Sequence, residues 1–138
     1  MQIRPFAPED TDAVIELWTS AGLVRPWNDP RKDIERKLTV QPEMFFVIED
    51  AHVLVATAMV GYDGHRGWVN YLAVAESHRR RGLGRQLMAE AERALTARGC
   101  PKLSLQIRAS NSTVIAFYAG LGYVQDEVVS MGRRLIPD

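Results

Sequence analysis

The run Arg79-Arg-Arg-Gly-Leu-Gly-Arg85 places four cations and two glycines within seven residues. The preceding Trp68-Val-Asn-Tyr-Leu-Ala-Val74 is β-branched and aromatic enough to be a strand. After it, Leu83, Leu87, Ala91 and Leu95 recur at helical spacing, with Met88 beside them. The glycines therefore fall in the first turn of a helix. Orphan amides point outward there, the helix dipole adds positive charge, and missing Cβ atoms let an anion come close. The chemistry implied is the holding of phosphate. Spacing excludes two other phosphate loops: a dinucleotide fingerprint needs a third glycine where Leu87 stands, and Gly-Lys-Ser/Thr occurs nowhere.

At 138 residues the chain has the size of one domain, 1–138, with too little length for two ordinary cores. Lys plus Arg and Asp plus Glu both number 17, so no global field draws the protein to nucleic acid or membrane. An RNA-binding module using the arginine cluster would also need interleaved aromatics, which are missing. One cysteine, Cys100, precludes an internal disulfide, and nothing beside it activates the thiol. No charged-then-apolar leader is evident and no apolar run approaches the roughly 20 residues of a membrane span, so the expected location is cytoplasmic. Three separated histidines suggest no metal site.

In chain order, Gln2 to Phe6 is a short strand candidate. Pro8-Glu-Asp-Thr opens a helix with the apolar stripe Ala13, Val14, Leu17, Trp18 and Ala21, ended by Gly22. Asp29 caps the next helix, with Pro30 first and Ile34 and Leu38 facing inward. Met44 to Glu49 and His52 to Tyr62 read as an antiparallel hairpin, and Tyr62 to Gly67 as the turn into the strand before the arginines. Beyond the long helix, Lys102 to Ile107 alternates like a strand. Ser110 or Asn111 then caps a helix with the apolar face Val114, Ile115, Phe117, Tyr118 and Leu121. Tyr123 to Ile136 splits into two short strands around Asp126-Glu127. The expected class is α/β (α+β, mixed sheet), in the order βααβββαβαββ with helices on both faces.

Arg79-x-x-Gly82-x-Gly84 resembles the acyl-CoA signature of the GCN5-related N-acetyltransferases, the GNAT superfamily. Arg108-Ala-Ser-Asn111, Ala116-Phe-Tyr118 and Leu121-Gly-Tyr123 are similar to that family's segment after the fifth strand, so the resemblance covers nearly the whole chain. Within the family, Arg25-Pro-Trp-Asn-Asp-Pro30, Gly61 to Gly67 and Gly99-Cys-Pro-Lys102 look most like the YpeA branch of bacterial acetyltransferases. The resemblance implies direct transfer of acetyl from acetyl-CoA to an amine, with no metal. The pyrophosphate would lie on amides from Arg80 to Arg85, through Arg81, Gly82, Leu83 and Gly84. The pantetheine arm would pair with main chain at Leu72, Ala73 and Val74. Asn111 would cap its helix and touch the cofactor.

By the same resemblance, Tyr118 falls where the family places the acid that protonates the departing thiolate; without it, Tyr118 reads as a core aromatic beside Phe117. The base is open. Related peptide N-terminal acetyltransferases carry glutamate two positions before the matching arginine, and this chain has Gln106, an amide that cannot take a proton. Asp63, His65 and Glu49 are candidates, the first two preferred because their turn leads into the thioester strand. Arg25, Trp27, Asn28 and Asp29 lie in the loop where the family places a lid over the acceptor, though Trp27 serves equally as a staple. The acceptor is expected to be a primary amine of a small molecule or peptide. A homodimer is one open arrangement. The alternative function is a catalytically weak or inactive acyl-CoA-binding sensor.

Overall fold

A computed structural model describes residues 1–138. Its central sheet runs in the order β1-β2-β3-β4-β5, built from Gln2–Pro5 (β1), Phe45–Asp50 (β2), Val53–Tyr62 (β3), Gly67–Val74 (β4) and Leu103–Ser104 (β5). The first four are antiparallel neighbours and β5 joins β4 in parallel, which makes the sheet mixed. The helices are Thr11–Ser20 (α1), Pro30–Lys37 (α2), Leu83–Ala97 (α3) and Ser112–Gly120 (α4).

Local chemistry sets most of these boundaries. Asp29 caps α2 by accepting the N–H groups of Arg31 and Lys32, with Pro30 in the first position, where a missing donor costs nothing. The β2–β3 hairpin turns on Ala51 and His52, both left-handed at φ 49° and 67°. That handedness matches the strand twist even without the usual glycine.

The alternation of β2 sorts the core by face. Phe45 and Val47 join Phe6, Val14, Leu17, Trp18 and Ile34 in one cluster against α1 and α2. The buried Phe46 and Ile48 consequently point to the opposite face. On that face Gly67 lies against Leu95 of α3, whose residues Leu83, Leu87, Met88, Ala91 and Leu95 are buried. Trp18 holds the first face together, with Phe45 and Tyr71 rings stacked on it at 6.1 and 3.7 Å.

Residues 1–105 form one compact unit and residues 106–138 a second. The second differs from expectation in two ways. First, the two strands anticipated between Tyr123 and Ile136 do not form, and no strand follows α4. Val124, Val128, Val129, Met131 and Leu135 are exposed instead. Alternating apolar residues make a strand only where an edge offers a ladder, and an isolated pair of short strands is marginal in water. Second, only Tyr118 of the expected α4 face is buried, while Ile115 and Phe117 are exposed. The fifth strand is also shorter than the alternation of 102–107 suggested, spanning Leu103–Ser104 alone.

Two stability predictions follow from this packing. A Cβ at Gly67 would lie 2.6 Å from Leu95 Cδ1 and 3.1 Å from Cys100 Sγ, both in tight surroundings. Gly67→Val should cost about 1–3 kcal/mol in denaturant unfolding through overpacking. In the other, Arg4 donates to both Asp10 carboxylate oxygens, at 2.7 and 2.9 Å, and to Glu49. The Arg4 guanidinium first, and the Ala7 N–H after it, hold the Asp10 carboxyl below its usual range. A depressed carboxyl stabilises the fold above its unfolded value, and that stability is lost as pH falls through the folded value. Asp10→Asn should therefore lower Tm at neutral pH, and the gap to the parent should close as pH falls below the ordinary carboxylate range. A gap independent of pH would show that charge is not the cause.

Candidate active site

The site starts from a break in the register of β4. Val69 pairs with Val60 and Ala73 with Thr57, so β4 takes four steps where β3 takes three. The extra residue is a β-bulge at Tyr71-Leu72, and Tyr71 is left-handed at φ 53°. A bulge reverses the side-chain alternation beyond it. Gly67 faces α3, yet Tyr71 and Ala73, two and three alternations further on, lie with Trp18 in the α1 cluster.

The other edge of β4 matters as much. Strand β5 pairs only with Gly67 and Trp68, through Leu103 and Ser104. From Val69 to Val74 the main chain on that side has no ladder partner. Leu72 and Val74 thus present main-chain groups along an open edge, a form that accepts an extended chain, while Ala73 between them turns its own toward Thr57 of β3.

Strand β4 leads through a single turn of 3-10 helix, Glu76–His78, into the arginine run. Arg79 folds back and donates from Nε to the Val74 carbonyl at 3.3 Å. Arg80 and Gly82 are both left-handed, at φ 64° and 79°, and Gly82 is the N-cap of α3. The first hydrogen bond in α3 runs from Gln86 N–H to the Gly82 carbonyl, 3.0 Å. The amides of Leu83, Gly84 and Arg85 lie upstream of that ladder and point out of the helix. A Cβ on Gly82 would meet nothing of the protein within 4 Å. The space over these amides is open, and Arg79, Arg80, Arg81 and Arg85 are exposed around it. This cradle of outward amides ringed by cations suits an anion.

His78, which the sequence reading passed over, anchors the loop. Its Nε2 lies 2.8 Å from Asp50 Oδ2 at the end of β2, and its Nδ1 lies 2.7 Å from Ser77 Oγ. His78 and, further off, Arg81 hold the Asp50 carboxyl below its usual range. His78 adjoins Arg79 and could have been suspected, but Asp50 is 28 residues away and carries no motif.

The base candidates are dispersed. Glu49 is bound by Arg4, on the far side of the sheet order from β4. Asp63 accepts N–H groups from His65 and Arg66 at 2.8 and 2.7 Å and the Trp68 indole at 3.4 Å, and the Arg66 and His65 amides hold its carboxyl below the usual range. It shapes the β3–β4 turn. Both Asp63 and His65 stand at the Gly67 end of β4, roughly 20 Å along the strand from Val74.

The α1–α2 loop divides as well. Asp29 is the helix cap, the Arg25 carbonyl accepts the Asn28 N–H, and Trp27 is 53% exposed. Asn28 reaches inward to Tyr71 and Asp33. No group of three or more metal-ligating side chains is assembled, and no helix is long and apolar enough to cross a membrane.

In the second unit, Asn111 caps α4 by accepting the Val114 N–H at 3.2 Å. Tyr118 is buried with Phe117 and Tyr123 edge-on at 5.0 and 5.7 Å, and burial pushes its hydroxyl up to about 12. Gln106 donates to Ser130 Oγ.

A profile of the acetyltransferase (GNAT) family matches residues 11–123. The chain belongs to that family. A Sodalis glossinidius protein named acetyltransferase SG1711 is 48% identical over 100% of this chain and 98% of its own length. Among solved structures, Ard1 from Thermoplasma volcanium superposes with a TM-score of 0.80 at 26% identity, covering 89% of this chain and 82% of that one. AAC(6′)-Iy, solved with the bisubstrate analogue CoA-S-monomethyl-acetylneamine, gives a TM-score of 0.79 at 20% identity over 98% of each chain, a likeness of fold.

Gly82→Val tests the cradle. A β-branched residue is strained at φ 79° and its methyls would cover the outward amides. Acetyl-CoA affinity by calorimetry should fall at least about tenfold, whereas Arg80→Ala should cost less. Normal binding by folded Gly82→Val would remove the phosphate assignment.

Proposed function

We propose that this protein is an acetyl-CoA-dependent N-acetyltransferase that moves acetyl directly to a primary amine of a small molecule or peptide. The observation that carries the reading is the combination, on one strand and its following loop, of an open bulged edge at Leu72–Val74 and an anion cradle at Gly82–Arg85. The two match the two ends of an acyl-CoA: an extended amide-bearing arm and a pyrophosphate. The aminoglycoside enzyme solved with a CoA bisubstrate analogue supports the same reading by fold. The match of residues 11–123 to one family profile supports treating 1–138 as one functional domain.

When bound, acetyl-CoA supplies an activated thioester. The amides of Leu83, Gly84 and Arg85 hold the diphosphate, helped by the charges of Arg79, Arg80, Arg81 and Arg85. Main-chain groups at Leu72, Ala73 and Val74 align the pantetheine and donate to the carbonyl oxygen as negative charge develops there. The acceptor nitrogen bonds to the acyl carbon, the C–S bond breaks, and sulfur takes a proton. Tyr118 is the donor in this reading. Its burial keeps the hydroxyl protonated at neutral pH, since the group titrates near 12. The proton lost by the amine passes to water, and Tyr118 regains one from solvent.

The second reading, an acyl-CoA-binding sensor with little or no turnover, is favoured by one observation. Gln106 stands where related enzymes carry glutamate, and its amide is engaged with Ser130.

A thiol-release screen of amines, polyamines, amino acids and peptide N-termini, alongside acetyl-CoA calorimetry, separates the two. Binding without release by any acceptor class favours the sensor. Tyr118→Phe keeps the ring packing and removes only the hydroxyl. It should leave acetyl-CoA affinity within a few-fold and slow transfer by about 10²–10⁴-fold when thiolate expulsion limits the rate. Transfer at the parent rate across about pH 6 to 9 would return Tyr118 to a packing role.

A further inference from the structure

A bulky residue in the left-handed region persists only where its surroundings hold it, and Tyr71 is held from three sides. Its hydroxyl donates to Asp33 Oδ2 at 2.6 Å and accepts from Asn28 Nδ2 at 2.9 Å. Asn28 also donates to the same Asp33 oxygen, and Arg36 donates to the other at 2.7 Å. The ring of Tyr71 lies 3.7 Å from that of Trp18, nearly parallel at 11°. The Tyr71 carbonyl accepts from Thr57 Oγ1 at 2.9 Å, and Thr57 accepts from Trp18 Nε1 at 2.9 Å. Two chains of hydrogen bonds, one from α2 and one from α1, therefore end on a single residue of β4. That residue is the bulge.

A simple core role does not account for this arrangement. Phenylalanine would fill the stack on Trp18 as well, without a hydroxyl to satisfy. Asp33 is a charged group on an otherwise polar helix surface, with its side chain 22% exposed and aimed at the sheet. A regular β4 would need none of these contacts, because without the bulge Tyr71 would face α3.

We propose that Asp33 and Asn28 lock Tyr71 in its left-handed conformation and so position the Leu72–Val74 main chain for the acyl-pantetheine arm. Both are positioning residues, and the proposal rests on the acetyl-CoA reading above. The lock acts on one end of the ligand only. The nucleotide end sits at the Gly82–Arg85 cradle, which rides on α3 and is anchored separately through His78 and Asp50. Loosening the bulge should hence misalign the arm and leave the phosphates in place.

The test uses Tyr71→Phe and Asp33→Asn in the full chain, with acetyl-CoA and adenosine 3′,5′-bisphosphate as probes. Phenylalanine keeps the ring stack and asparagine keeps the shape, so each removes the lock with little change in volume. Losing a hydrogen bond to a charged group should weaken acetyl-CoA by roughly tenfold in both variants. The bisphosphate, which has no pantetheine arm, should bind each variant as it binds the parent. In the ligand-free protein, amide exchange at Ala73, whose main chain pairs with Thr57, should quicken by a similar factor, while α3 and β2 exchange at parental rates. Equal weakening of both ligands, or exchange quickened throughout the unit, would reduce the cluster to ordinary stabilisation. Unchanged acetyl-CoA affinity together with unchanged exchange would overturn the lock. If the parent bound no acetyl-CoA, the function proposed above would fall, and the exchange at Ala73 would still decide whether the lock exists.

Discussion

One extra residue in β4 governs the geometry of this protein. A sheet strand alternates with a period of two, so an inserted residue carries every later side chain to the other face. Here the insertion turns Tyr71 and Ala73 toward α1, where Trp18 receives the aromatic ring. The buried hydrogen bond from Trp18 to Thr57, relayed to the Tyr71 carbonyl, satisfies polar groups that the interrupted ladder leaves behind. A bulge in a buried strand would otherwise strand backbone groups at a cost of about 1–3 kcal/mol each.

The same constraint explains why an open edge exists. Strand β5 meets β4 only at Gly67 and Trp68, before the bulge, and there Leu95 of α3 lies close over the sheet because Gly67 has no side chain to collide with it. Beyond Trp68 nothing in the sheet takes up the β4 edge, and the strand runs out into a cradle of helix-terminal amides. Strand edge and helix terminus are two solutions to one problem, the pairing of backbone groups with a ligand when no protein group is available. Side-chain identity matters little at Leu72–Val74. At Gly82 and Tyr71, where φ is positive, it matters a great deal.

Membership of the GNAT family does not reveal the acceptor, and the disposition of charged groups narrows the question. Carboxylates near the sheet are committed: Glu49 to Arg4, Asp63 to its own turn, Asp29 to its helix cap, Asp33 to Tyr71. None stands uncommitted on β4 beside Leu72–Val74. This favours a proton path through water, or an amine that arrives neutral.

The sequence alone determined the helix caps and the order of elements through α4, because caps depend on residues within one or two turns of one another. Asp29 with Pro30, Gly82 before Leu83 and Asn111 before Val114 are local capping chemistry. Trp68 to Val74 reads as a strand from its β-branched and aromatic content, and that content is the same with or without an unpaired residue, so the bulge stayed concealed. Asp33, Asn28 and Tyr71 come from positions up to 43 residues apart, and Asp50 meets His78 across 28, so no spacing could have joined them. The expected strands after Tyr123 show the opposite error. Their β-branched and apolar residues were present, but a strand also needs a pairing partner, and whether one forms is a property of the tertiary structure.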